Sequence, residues 1–159
     1  MGANFLAVAQ GCFTIGRFSG SFLMKYVLPR KVLLIFFTFV IIFQALSVGC
    51  RGDAGLAMLI LVLFFESICF PTIFTIGIRG LGKHTKMGAT FIISSIAGGA
   101  VAPPMLGAAA DMFNDTGRAM FVPLVWFILA YSYPLAVNFF PRLRTTVDGY
   151  SGREDMPKL

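Results

Sequence analysis

The sequence predicts an all-α fold, a polytopic membrane bundle of five transmembrane helices. Three observations predict it. Of the 159 residues 57% are hydrophobic and only 13% charged, where a soluble domain carries about 25% charge. The mean hydropathy is +0.83. The apolar residues also fall into continuous runs near 3–24, 32–50, 55–78, 88–110 and 119–140, each close to the ~20 residues that cross a bilayer. None of these runs alternates polar with apolar, which excludes a transmembrane β-barrel.

Span one contains "GCFTIGRFSGSFL", with Arg17 between Gly16 and Gly20 and with Gly11 assigned to the same small-residue side. Small residues let helices approach closely. Two readings of Arg17 stay open: a cation snorkelling to headgroups, or a buried cation with a carboxylate partner. Span two, "VLLIFFTFVIIFQALSVGC", is almost uniformly apolar and is expected to face lipid over much of its circumference.

Span three, "LAMLILVLFFESICFPTIFTIGI", puts Glu66 near its midpoint and Pro71 five residues on. A lone carboxylate at that depth costs about 2.5–3.5 kcal/mol on insertion scales. It therefore needs protonation or a partner. If spans one and three cross in the same direction, Arg17 and Glu66 lie at similar depth, and an ion pair between them is expected. Phe70 shares the Glu66 face at i+4, and Pro71 frees the carbonyl of Ser67. Two other readings remain: a structural carboxylate hydrogen-bonded between helices, and a protonated Glu66 facing lipid.

Span four, "GATFIISSIAGGAVAPPMLGAAAD", has Gly98 and Gly99 at its centre, followed by Pro103 and Pro104. A kink near Gly99 and Ala100 is expected, either static or taking part in gating. Irregular backbone at membrane depth is tolerated against protein or water, which places this span inside the bundle. Ser94 and Ser95 read as interhelical hydrogen-bonding groups. Span five carries Trp126, Tyr131, Tyr133, Pro134 and Asn138, with Trp126 expected to pack on a neighbour. Residues 1–141 thus form the bundle. The polar stretch 142–159 reads as a disordered tail.

Charge orients the spans. Lys25, Arg30, Lys31, Arg79, Lys83, Lys86, Arg142 and Arg144 fall on one side; Arg51 and Arg118 fall on the other. The basic excess marks the cytoplasmic side, so the C-terminus is expected inside and the N-terminus outside. The formal charge of +6 is then a topology signal. No basic patch on a soluble face suggests a nucleic-acid partner. Cys12, Cys50 and Cys69 lie in or at the ends of spans without CxxC spacing and read as packing residues. With His84 as the single histidine, the sequence offers no metal site, cofactor site or catalytic constellation. An enzyme is disfavoured.

Together "GRFSGSFLMKYVLPRKVL", "FESICFPTIFTIGIRGLGKHTKMGATF" and "AGGAVAPPMLGAAAD" resemble the C-terminal half of the fucose–proton symporter branch of the major facilitator superfamily. Fungal members are the most similar. The resemblance implies that the five spans match the eighth to twelfth helices of a twelve-helix transporter in the plasma membrane. It implies a monosaccharide substrate, of the fucose, glucose or galactose class, moved with a proton by alternating access. It implies that Phe70, just before Pro71, lines the central cavity, where an aromatic ring stacks on the C–H face of a sugar. Beside it, Glu66, Gln10 and Asn4 are the candidate cavity residues. The proton-coupling carboxylates of the family lie in the N-terminal half. Met1 runs almost directly into span one, so a chain lacking upstream helices is expected: a clipped transporter or truncated gene product. The alternative is a truncated, non-transporting integral membrane protein that keeps only the C-terminal helices.

Overall fold

A computed structural model describes residues 2–50, 52–79 and 81–149. Ten α-helices occur among them. They are α1 (Gly2–Leu23), α2 (Pro29–Gly49), α3 (Asp53–Glu66), α4 (Cys69–Gly77), α5 (Thr85–Ser95), α6 (Ala102–Phe113), α7 (Thr116–Ala119), α8 (Phe121–Ala130), α9 (Ser132–Phe139) and α10 (Pro141–Gly149). Four stretches are long and apolar enough to cross a membrane: Pro29–Gly49, Asp53–Gly77, Gly82–Phe113 and Thr116–Phe139. α1 has 22 residues, and its Asn4, Gln10 and Arg17 make it more polar than those four.

Local chemistry sets the boundaries. α2 opens on Pro29, whose missing N–H is no loss in a first turn. α3 follows Gly52, held at φ 66°, a conformation that favours glycine. α6 stops at Asn114 in the left-handed region. The Asp115 carboxylate then accepts from the Gly117 N–H at 2.9 Å and caps α7. Two prolines interrupt helices without redirecting them. The gap between α3 and α4 lies at Ser67 and Ile68, one turn before Pro71, and that between α8 and α9 lies at Tyr131, three residues before Pro134. All three residues keep helical dihedrals.

α2 is the centre of the bundle and packs against α3, α4, α7, α8 and α9. Its residues Val32, Leu33, Phe36 and Phe37 meet Ile68, Cys69, Ile76 and Val137 in one core. Phe65 sits among Phe36, Phe39 and Phe43, with ring centroids 5.0–5.6 Å away. Against α8 and α9, α2 is antiparallel and pinned at three depths. Arg30 bonds Asn138, Thr38 bonds the Tyr131 hydroxyl at 2.8 Å, and Gln44 donates to the Met120 carbonyl at 2.9 Å.

Three expectations meet the structure here. Span two buries one stripe, Leu33, Phe36, Phe37, Val40, Gln44 and Ser47, and leaves Ile35, Phe39, Ile42 and Leu46 exposed, so the lipid-facing surface expected over much of its circumference lies opposite that stripe. A uniformly apolar helix hides which face it buries. Within this chain span four is little covered: among the described residues α5 contributes no buried residue and α6 only Ala109, and α5 packs against α4. Trp126 is half exposed within this chain. The tail expectation also changes: residues 141–149 form α10 rather than a disordered segment, while 150–159 lie outside the described residues.

Candidate functional site

The "GRFSG" motif brings α1 against α3 and α4. A Cβ on Gly16 would strike the Phe64 carbonyl and lie 2.6 Å from the Ser67 hydroxyl, and one on Gly20 would lie 2.8 Å from Ile68. At Gly16 the helix meets the backbone of α3, and at Gly20 it meets the side chain of Ile68, close approaches that small residues allow. Gly11, expected on the same side, has nothing within 4 Å. The order of contacts, 16 to 64–67 and 20 to 68, makes α1 and α3 parallel.

Beside this seam lies a groove of about 430 Å³. Arg17 and Ser21 of α1 face Phe70, Pro71, Phe74 and Thr75 of α4 across it. The volume falls in the range of small-molecule sites. Arg17 is exposed, with its guanidinium 5.4 Å from the centre of the Phe13 ring. Phe70 is 43% exposed, and its ring centre lies 6.4 Å from that of Phe74. The Thr75 hydroxyl donates to the Pro71 carbonyl at 2.7 Å, which leaves its oxygen free to accept. The groove thus combines ring faces, a guanidinium and hydroxyls, a set suited to a compact polyhydroxylated ligand.

Of the residues singled out in the sequence, the structure joins Arg17, Phe70 and Pro71 in this groove. It leaves Glu66 outside. Arg17 and Glu66 form no ion pair; the ion pairs among the described residues are Arg30–Asp148, Arg118–Asp115 and Arg144–Asp148. Arg17 and Glu66 do lie at similar depth, because Gly16 and Gly20 bracket the level of Phe64 to Ile68, but they differ in direction around the helix. Ser67 faces α1, and Glu66 lies about 100° around the helix from it. Glu66 instead shares the stripe of Phe70, Ile73 and Gly77, and Gly77 packs on Ile92 of α5. Asn4 and Gln10 are exposed on α1 and are not among the groove residues. Ser95 donates to the Ile92 carbonyl of its own helix at 2.6 Å, so it does not bridge helices. Gly98 and Gly99 lie in a 3-10 segment, Ile96–Val101, and Pro103 and Pro104 sit in the first turn of α6.

Ser21, Phe74 and Thr75 were missed in the sequence. Each stands four residues after a residue already noted: Arg17, Phe70 and Pro71. Residues at i and i+4 share a helix face, so that spacing was the available signal.

No protein-family model matches the sequence. The chain is 35% identical over 131 residues to the L-fucose–proton symporter of Escherichia coli, a match covering 82% of this chain and 30% of that protein. It is 35% identical over 153 residues to a putative glucose/galactose transporter of Helicobacter pylori, covering 96% and 36%. It is 32% identical over 133 residues to a glucose/galactose transporter of Brucella abortus, covering 84% and 32%. The crystal structure of the Escherichia coli fucose:proton symporter superposes with a TM-score of 0.80 at 34% identity, over 84% of this chain and 32% of that one. A second crystal structure, of a major facilitator superfamily transporter in the outward conformation, matches equally well. The chain spans about a third of the length of these relatives. Its similarity is to membrane transporters and not to enzymes.

Proposed function

We propose that this chain is part of a major facilitator superfamily transporter of the fungal-like fucose–proton symporter branch, contributing the eighth to twelfth helices, with α1 as span one beside the four long apolar stretches. In the full-length protein it moves a monosaccharide of the fucose, glucose or galactose class together with a proton, by alternating access in the plasma membrane. The observation that carries this reading is the structural match to the fucose:proton symporter over 84% of the chain.

The groove supports it. Phe70 offers a ring face to a sugar, while Arg17, Ser21 and Thr75 supply hydrogen bonds, and Pro71 loosens the backbone behind them. Glu66, Gln10 and Asn4 are proposed to line the wider cavity that this chain shares with the remaining helices. Glu66 is not assigned the proton, because the resemblance puts coupling in the other half. Gly98, Gly99, Pro103 and Pro104 are proposed to supply the bend used in gating. The basic loops at Lys25–Lys31 and Lys83–Lys86 face the cytoplasm in this reading. Outside labelling of a cysteine placed at position 83, in a background without Cys12, Cys50 and Cys69, would overturn that orientation.

The test of function is uptake of labelled fucose, glucose and galactose into proteoliposomes with an imposed proton gradient. A full-length transporter carrying these residues is expected to give saturable, gradient-dependent uptake. Phe70→Ala is expected to lower kcat/KM about tenfold through lost stacking, with Phe70→Tyr retaining activity. Absence of uptake for all three sugars would sink the proposal. The second reading is a membrane protein that keeps these helices without transport, favoured by the open faces of α1 and α5. It predicts that the 159-residue chain inserts and folds yet gives no uptake alone, and that adding a matching N-terminal half restores none.

A further inference from the structure

Where the basic loops meet the bundle, α10 is held by a closed set of polar contacts. Arg30, at the start of α2, is 4% exposed. Its Nε donates to both carboxylate oxygens of Asp148, at 2.8 and 3.1 Å. Its Nη1 donates to Asn138 Oδ1 at 3.2 Å. The Asn138 amide donates back to the Arg30 carbonyl at 3.0 Å and to the Pro134 carbonyl at 2.8 Å. From the far side, Arg79, just beyond α4, donates to the Val147 carbonyl at 3.2 Å. Val147 is itself buried in the core beside Val32 and Ile76. One short helix therefore contacts the ends of three spans: α2 through Arg30, α4 through Arg79, and α9, which it adjoins and whose Asn138 holds Arg30 in place.

We propose that α10 is a clasp that, while closed, holds the end of α4 in register with α2 and α9. The two attachments differ in strength. Toward α2 the link is a charged, nearly buried pair, costly to break on one side only. Toward α4 it is a hydrogen bond to a backbone carbonyl beside the apolar packing of Val147, with an uncharged acceptor. The α4 attachment is the side that yields. Because α4 supplies Phe70, Pro71, Phe74 and Thr75 to the groove, opening of the clasp frees the groove's wall and closing fixes it. Asp148 also has an alternative partner on its own helix: Arg144 lies 3.9 Å from the carboxylate and is largely exposed. A carboxylate with one buried and one exposed cation in reach has two states to choose between.

Hydrogen exchange of the full chain in lipid nanodiscs tests this. In Asp148→Asn, amides 141–149 are expected to lose about a hundredfold in protection, and amides 76–79 to lose protection with them, while 33–47 of α2 stay unchanged. In Arg79→Gln, amides 76–79 are expected to exchange about tenfold faster with 141–149 still protected. Loss of protection at 141–149 without any change at 76–79 in the first variant would make α10 a mere appendage and overturn the clasp. So would a first variant that leaves both segments unchanged. If Asp148→Asn yields no folded protein, Arg79→Gln decides alone: unchanged exchange at 76–79 overturns the proposal.

Discussion

Two seams of this bundle are closed by opposite chemistry. Between α2 and α8–α9 the contact is made by large side chains, with three polar links at successive depths through Asn138, Tyr131 and Met120. Between α1 and α3–α4 it is made by absence, two glycines that admit a neighbouring backbone and a neighbouring isoleucine. The first seam runs the length of α2. The second closes tightly at Gly16 and Gly20 and has the groove lined by Arg17 and Ser21 alongside it. In a membrane there is no hydrophobic drive between helices, so fit and hydrogen bonds decide where they stay together. The side-chain seam is a scaffold, and the glycine seam is the place where a cavity wall and its support meet.

The sharpest way to break this comparison is at Gly16. Gly16→Leu puts a side chain into the Phe64 carbonyl and the Ser67 hydroxyl. It is expected to destabilise the bundle by about 3 kcal/mol or to abolish folded yield. Gly11→Leu, in open space, is expected to change nothing beyond about 0.5 kcal/mol. Thermal unfolding in detergent distinguishes the pair; equal effects would mean that α1 does not rest on α3 through Gly16. A smaller effect is expected in the side-chain seam. Gln44→Leu removes the bond to the Met120 carbonyl and is expected to cost roughly 1 kcal/mol, since single interhelical hydrogen bonds in membranes contribute about 0.6–1.7 kcal/mol. A cost as large as that of Gly16→Leu would reverse the ranking of the two seams. Smallest is Ser95→Ala. Its hydroxyl bonds only its own helix, so the change is expected to stay within about 0.5 kcal/mol. A larger loss would show that α5 has a partner through this serine.

Much of this contrast was legible in the sequence, and the illegible parts share a cause. Five apolar runs and the glycine pair in "GRFSG" announce themselves through composition and spacing, which a single helix carries by itself. The level of Glu66 relative to Arg17 was also legible, because depth follows from residue count along each span. Which way Glu66 points was not, since rotation of α3 about its axis is set by its neighbours. The burial of α2 was invisible for a related reason: an apolar residue on every face gives periodicity nothing to report. The clasp was furthest out of reach, because Arg30 and Asp148 are 118 residues apart and α10 taken alone is a short polar segment.

The 3-10 segment Ile96–Val101 has a mechanical consequence. Six residues wound as a 3-10 helix rise about 12 Å, where an α-helix rises about 9 Å, and they turn about 120° further. Rewinding them would draw α6 toward α5 by about 3 Å and swing its face by a third of a revolution. Axial travel and rotation are locked together, as in a screw. A Cβ placed on Gly99 would meet nothing within 4 Å, so no side chain stands against the thread at that point. Pro103 and Pro104 fix where it ends, because the first turn of α6 is already set by their rings.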